Sequence, residues 1–209
     1  MRKRDFKNAI YNEIARTSRA IANPVRMEII DFIANGEKCV EDISLQLNIN
    51  IANASQHLQT LKRERLVKSR KEGHFQYYSL QSPNVYKAWT TLRDLANDIS
   101  PFVGQTAEDY RKSNSYPAPT NYDKIAARKD ICLLDVRPKE EFEDYSLPNA
   151  LSMPLDELND RLGELPKDML LVAYCRGMFC TLADEAVKLL TKNGFRAKKI
   201  EEGVLDIIN

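Results

Sequence analysis

The sequence predicts two domains: a mainly α domain with a β-hairpin over residues 1–100, then an α/β domain with a parallel sheet over 121–209, joined by a linker at 101–120. Three observations predict this. Charge is unevenly shared, with 16 Lys/Arg against 11 Asp/Glu in residues 1–100 and 15 against 19 in the remainder. Between Pro24 and Leu80, helical patterns broken by a tight turn lead into two strand-like runs around Gly73. Farther on, the apolar run Leu171–Tyr174 ends in Cys175, and Leu182, Ala186, Leu189 and Leu190 follow at helical spacing, which reads as buried strand, loop and helix. At 209 residues each half can bury a core of its own.

The first helix is expected over Phe6–Ile21, with Ile10, Ile14 and Ala15 on one face. Asn23-Pro24 supplies an N-cap and a first-turn proline for a second helix, which ends at Gly36. A shorter helix turns Val40, Ile43 and Leu47 inward, and Asn48-Ile49-Asn50 makes a turn. The next helix, Ile51 to about Glu64, is expected to bury Ile51, Ala54, Leu58 and Leu61 and to expose Asn53, Ser55, Gln56, Gln59 and Thr60.

Short helix, tight turn and longer helix with small polar side chains on its outer face is helix-turn-helix geometry, and such side chains reach base edges in a major groove. Lys62 to Lys71 then holds six basic residues and one acid, and the two strands around Lys71-Glu72-Gly73-His74 form a basic wing. Its cations suit phosphate contacts. The candidate DNA-binding residues are Asn53, Ser55, Gln56, His57, Gln59, Thr60, Lys62, Lys68, Arg70, Lys71 and His74. A helical domain with a merely solvated charged hairpin is the alternative. Ser82-Pro83 opens a further helix carrying Val85, Trp89, Leu92, Leu95 and Ile99.

Residues 20–80 resemble the ArsR/SmtB winged-helix repressors. The resemblance is carried by Ala22-Asn23-Pro24-Val25-Arg26-Met27-Glu28-Ile29-Ile30, Val40-Glu41-Asp42-Ile43, Ala54-Ser55-Gln56-His57-Leu58-Gln59-Thr60-Leu61, Leu66-Val67 and the wing. Arg65 stands where the family usually has a glycine. The resemblance implies a homodimer on a twofold-symmetric operator, with the first and last helices at the dimer interface. Metal sensing is disfavoured: Cys39-Val40-Glu41 keeps only the first thiol of the family's Cys-Val-Cys motif, and residues 83–99 hold no His or Cys. Cys39 is read either as a partly buried small residue or as a redox thiol.

Four cysteines are too few and too scattered for a disulfide framework, no signal peptide follows the basic start, and no apolar run is long enough for a bilayer. The expected setting is cytoplasmic, with thiols reduced and no membrane partner. Ser100-Pro101 closes the front half, and the stretch to Asn121, with Pro117-Ala118-Pro119, has linker composition, semi-extended where prolines cluster.

In the back half Thr120 is expected to cap a short helix to about Lys129, followed by a strand at Ile131–Val136, in which Cys132 is inert core. A helical turn after Pro138, a short strand within Leu147–Leu155, helix at Asp156–Leu162, strand Leu170–Tyr174, helix Thr181–Asn193 and strand Ala197–Ile200 complete it. Strands alternating with helices predict a parallel sheet, with reactive groups beyond the C-terminal strand ends. Cys175 sits at such an end. A following helix N-terminus and the adjacent Arg176 are expected to lower its pKa.

This half resembles a rhodanese (sulfurtransferase) domain through Leu133-Leu134-Asp135-Val136-Arg137 with Glu141-Phe142, Leu147-Pro148-Asn149-Ala150, Met153-Pro154-Leu155, Tyr174-Cys175-Arg176-Gly177 and Glu202-Gly203-Val204. Tyr145-Ser146 and Asn149 depart from the family's Gly-His and glycine. The resemblance implies sulfur transfer through a persulfide on Cys175, needing no metal or cofactor. Arg176 would draw an anionic donor, and the N–H groups from Arg176 through Gly177, Met178, Phe179 and Cys180 to Thr181 would cradle the sulfur. Asp135 and Arg137 would brace the loop, and Arg137 and Glu141, four apart, can pair. Cys175 to Cys180 spans six residues, which suits rhodaneses better than the longer phosphatase loop. Cys180 is read either as a resolving thiol or as a small residue at the helix start.

The combined expectation is a DNA-binding regulator, a repressor by resemblance, whose partners are operator double-stranded DNA, a second copy of itself, a sulfane sulfur donor and a thiol acceptor. The alternatives are a sulfurtransferase using its winged-helix half for dimerisation, and an arsenic or oxidant sensor built on Cys175 and Cys180.

Overall fold

The computed structural model describes residues 1–208, which divide into two compact units, Met1–Ile99 and a second that starts at Ser100. Among the described residues no helix is long and apolar enough to cross a membrane.

The first unit is helical with a small antiparallel sheet. Helix α1 runs Lys3–Ile21 and α2 Pro24–Ala34. Asn23 caps α2, its side chain accepting from the Arg26 N–H at 3.2 Å, with Pro24 in the first turn. Strand β1, Lys38–Cys39, leads into α3, Val40–Gln46, and a turn then opens α4, Ile51–Arg63, capped by Asn50. Strands β2, Val67–Glu72, and β3, Phe75–Leu80, form the wing, with β1 added to it in the order β1-β3-β2. Helix α5, Pro83–Ile99, closes the unit, and the Trp89 indole N–H donates to Asp31 at 2.9 Å. Ile29, Ile30, Ile33, Ile43, Ala54, Leu58, Leu61 and Val67 form the core.

One expectation changes here. Ile51 is half exposed rather than buried, because it occupies the first turn of α4, at the margin of the core that Ala54, Leu58 and Leu61 enter. Arg65, where a glycine is usual, holds φ +56° and so takes the left-handed turn at a strain cost of about 1–2 kcal/mol.

The second unit begins with a correction. Residues 101–113, expected as semi-extended linker, form helix α6, Pro101–Ser113. Pro101 suits the first turn, and Val103 and Ala107, four apart, fall on one half-buried stripe. The Arg111 guanidinium lies 3.7 Å from Glu201, and Lys188 donates to the Asn114 carbonyl at 3.0 Å, so this segment is tied to its own unit. In place of the helix expected after Thr120 there is only a 3₁₀ turn, Tyr122–Lys124, because Thr120 itself bridges to Ile200 beside the sheet.

The sheet is parallel, in the order β5-β4-β6-β7, with β4 at Ile131–Asp135, β5 at Leu151–Ser152, β6 at Leu170–Tyr174 and β7 at Ala197–Lys199. Helices α7, Lys139–Asp144, α8, Leu155–Leu158, α9, Leu182–Lys192, and α10, Val204–Ile208, complete the unit. Leu134, Leu171, Ala173, Ala186, Val187 and Leu190 are fully buried. Asn149, in place of the family's glycine, adopts φ +59° and preserves the turn before β5. The central strands β4 and β6 run in register from Ile131↔Leu170 to Asp135↔Tyr174, so both reach the same sheet edge, where the loop begins.

Candidate functional site

In the first unit the polar side chains of α4 lie on the face away from the core. Of the five expected to be exposed, only Gln56 and Gln59 are; Asn53, Ser55 and Thr60 are half-buried, as is His57. Thr60 donates to its own helix at the Gln56 carbonyl, which occupies that hydroxyl. Burial and the Arg26 charge hold His57 below the usual histidine range, so it is neutral at pH 7. Lys68, Lys71 and His74 are exposed on the wing, and Lys62 donates to Ser69 at 2.7 Å, fastening α4 to β2. Arg70 is less free than its position suggests. It pairs with Glu37 at 2.5 Å and with Glu72, and its guanidinium lies 4.6 Å from the Tyr77 ring centre.

Cys39 is a cap. Its sulfur accepts from the Asp42 N–H at 3.4 Å, while its own N–H donates to the Asp42 carboxylate at 3.1 Å. Burial, then the Asp42 carboxylate, push this thiol up to about 11, which leaves almost no thiolate at neutral pH.

In the second unit Cys175 stands at the C-terminal end of β6, nearly inaccessible at 1% exposure. Its Sγ lies 3.5 Å from the Cys180 carbonyl oxygen, and its own carbonyl accepts from the Val204 N–H at 3.2 Å. The loop turns at Gly177, φ +154°, and the Cys180 N–H closes back on the Gly177 carbonyl at 3.0 Å. Met178 is half-buried and Phe179 exposed at the tip, while Thr181 opens α9 with its hydroxyl on Glu185. Gly203 packs directly beneath: a Cβ there would come within 2.0 Å of the Arg176 carbonyl oxygen, so this position admits only glycine without moving backbone.

Charge around the loop is arranged in two groups. Asp135 and Arg137, both fully buried, form a two-pronged pair at 3.0 and 2.7 Å. Arg137 also donates to the Tyr145 carbonyl at 2.7 Å and lies over the Tyr145 ring, which gives that departure from the family pattern a local purpose. Arg137 faces Glu141 at 3.8 Å, and Glu141 in turn holds Arg176 at 2.8 and 3.0 Å. The chain Asp135–Arg137–Glu141–Arg176 thus runs from the end of β4 through α7 to the first residue after Cys175. Glu141, expected only to pair with Arg137, is the link that reaches the loop, and it neutralises the cation expected to receive an anionic donor. The second group is Lys199, 1% exposed, whose Nζ donates to the Cys180 carbonyl at 2.9 Å and to Asp184 at 2.5 Å.

The protonation of the two loop thiols differs from expectation. Burial, and the hydrogen bond it shares with Cys180, push the Cys175 thiol well above the ordinary range. Cys180 is lowered to about 6, by the hydrogen bond from Cys175, then by the Arg176 charge and the N–H groups of Arg176 and Leu182. The pair therefore gives up its first proton easily and holds the second tightly, and the two sulfurs act as one titrating unit. The helix and Arg176 do favour an anion here, but it is shared between two sulfurs, and burial opposes a second charge.

A cleft of about 520 Å³ lies beside the loop, walled by Val103, Ala107 and Tyr110 of α6 and by Met178 and Phe179. Neither this cleft nor Lys199 was expected. The apolar spacing in 102–110 was the available signal for the first. A lysine on a three-residue strand carries no signal for the second.

Comparison with known proteins gives one family match in each half of the chain. Residues 23–69 match the family described as "Bacterial regulatory protein, arsR family", and residues 118–207 match "Rhodanese-like domain". Over 97% of its length the chain is 36% identical to the HTH-type transcriptional regulator Rv0324 of Mycobacterium tuberculosis, spanning 90% of that protein. The putative sulfurtransferase YtwF of Bacillus subtilis is 28% identical over 40% of this chain and 79% of its own length. Among solved structures, the homodimeric winged helix-turn-helix DNA-binding domain of a possible ArsR-family regulator from Mycobacterium bovis is 34% identical, covering 48% of this chain and 91% of that one, with a TM-score of 0.44.

Proposed function

This chain belongs to the ArsR family of bacterial regulators and carries a rhodanese-like domain as its second half, and on that premise we propose that it is a homodimeric repressor whose operator affinity is set by sulfane sulfur on Cys175. The carrying observation is the loop: a thiol at the end of a central strand, a second thiol five residues on, and a readily lost first proton. In the proposed reaction the Cys175 thiolate attacks the sulfane sulfur of a donor. The donor's S–S bond breaks, its remaining fragment leaves with the electron pair, and Cys175 carries a persulfide. An acceptor thiolate removes the outer sulfur. Alternatively the Cys180 thiolate attacks the inner sulfur, which expels hydrosulfide and leaves a Cys175–Cys180 disulfide.

Dimerisation is supported by apolar side chains left in the open on the first unit: Phe6, Ile10, Tyr11 and Ile14 on α1, and Leu92, Leu95 and Ile99 on α5. DNA contact is supported by the open face of α4 and the exposed Lys68 and Lys71.

The test is operator binding by the full chain with and without inorganic polysulfide. Polysulfide should change affinity at least about tenfold in the wild type and leave Cys175→Ser unmoved, a difference of about 1.4 kcal/mol. Equal behaviour of the two proteins removes the sensing role. In the same assay log affinity should fall linearly with log salt, and Lys71→Ala, which removes one phosphate contact from each protomer of the dimer, should make that slope shallower by about 1.8. A slope unchanged by this substitution would take Lys71 off the phosphate backbone.

A further inference from the structure

A buried lysine needs an account. Lys199 lies on β7 opposite Ala173, two residues before Cys175, and its side chain is closed off from solvent. A buried ion pair of this kind adds little to stability compared with an apolar pair of the same size, so packing alone does not explain it. The Asp184 carboxylate meets it through Oδ2 only, and its Oδ1 accepts no hydrogen bond among the described residues. What the ammonium does reach is the Cys180 carbonyl oxygen, at 2.9 Å, and that same oxygen is the atom 3.5 Å from Cys175 Sγ. Without a cation on it, this carbonyl would set a partial negative charge against the sulfur whenever the sulfur is an anion. Arg176, the cation within the loop, is already held by Glu141 in a two-pronged pair, and Arg111 of α6, which lines the cleft outside the loop, lies against Glu201.

We propose that Lys199 is a positioning residue for the loop: its ammonium ties down the Cys180 carbonyl and supplies the positive charge that lets Cys175 exist as thiolate and persulfide anion. The inference rests on the reading of Cys175 as the reacting thiol and assigns the charge that supports it to β7 rather than to the loop arginine. The groups that face Cys175 are Cys180 and Arg176 on the loop, Lys199 on β7 and Asp184 on α9, with Glu141 of α7 behind Arg176. Lys199 is also among the charges that favour the Cys175 thiolate, against the burial that opposes it.

The experiment is the pH profile of iodoacetamide alkylation of the full-length chain, mapped by peptide to Cys175 and Cys180. Lys199→Met removes the cation and should move the loop-thiol profile up by at least about one pH unit, a tenfold loss of alkylation below its midpoint. Lys199→Arg should return most of that loss. Asp184→Asn keeps the shape but removes the opposing carboxylate, and should move the profile the other way, to lower pH. The opposite signs separate this role from simple loss of packing, which would disturb all three alike. If Lys199→Met does not fold, Asp184→Asn decides alone. Profiles that coincide with wild type, or that move upward for both Lys199→Met and Asp184→Asn, overturn the proposal. Because alkylation needs no sulfur donor, the two readings fail separately. Shifts as expected with no sulfur ever loaded on Cys175 would leave Lys199 in its role and remove the persulfide reading. Loading with unmoved profiles would do the reverse.

Discussion

Gly203→Ala should lose sulfur loading at Cys175 by about 100-fold or more while operator binding in the absence of sulfur stays at the wild-type level. The cause is one methyl group. A Cβ at this position would lie 2.0 Å from the Arg176 carbonyl oxygen and 2.9 Å from the Gly177 Cα, and both are backbone atoms that no rotamer change can clear. The loop must therefore lift. Because the Val204 N–H is bonded to the Cys175 carbonyl, the Cys175 peptide moves with it. A displacement of about 1 Å at a reacting atom is enough for a 100-fold loss. The measurement is the rate at which intact mass gains one sulfur under polysulfide, beside operator titration of the same preparation. Loading at the wild-type rate would mean that the loop does not need its close seat on Gly203.

The second large effect is on stability. Arg137→Met leaves Asp135 as a buried carboxylate without its two-pronged partner and takes a donor from the Tyr145 carbonyl. Breaking one side of a buried pair costs about 3–5 kcal/mol, a large share of the stability of a unit this size. Hydrogen exchange of the full chain should show the loss in β4 and β6, with the amides of α2 and α4 unchanged. Replacing both partners, Asp135→Leu with Arg137→Met, should recover much of it, since the uncompensated charge is then gone. That double variant would still lack the anchor behind Glu141 and Arg176. It should regain stability without regaining full sulfur loading, which separates holding the fold from bracing the loop.

Much of the architecture was legible because it is written in local chemistry. Asn23-Pro24 announces the start of α2, the polar outer positions after Asn50 announce an exposed helix face, and an apolar run cut off by Cys175 announces a strand end carrying a thiol. The resemblance singles out Asp135 and Arg137 as braces of the loop, but their pairing with each other shows only in the structure. What was hidden depends on contacts distant in sequence. Lys198 and Lys199 look alike as letters, and only the register of β7 against β6 sends one outward and seals the other under the loop. Arg176 reads as a cation available to a donor until Glu141, 35 residues earlier, is found holding it. The shared proton of Cys175 and Cys180 likewise depends on loop closure, which spacing permits but does not specify. Helix α6 is hidden for a different reason: the prolines and serines of 113–119 dominate the composition of the stretch and mask the apolar stripe before them.

That helix bears on how the protein is to be taken apart. The rhodanese match starts at residue 118, five residues after α6 has ended, yet Val103, Ala107 and Tyr110 of α6 form one wall of the cleft against Met178 and Phe179. A fragment cut to the family boundary would discard that wall, together with the Arg111–Glu201 and Lys188–Asn114 ties. It would bare the apolar tip of the Cys175–Cys180 loop and invite self-association through it. A fragment starting at Ser100 keeps the wall. Sulfur chemistry measured on the shorter piece would describe a loop that the whole chain never exposes in that way, and domain boundaries for expression are better set by α6 than by likeness to free-standing relatives.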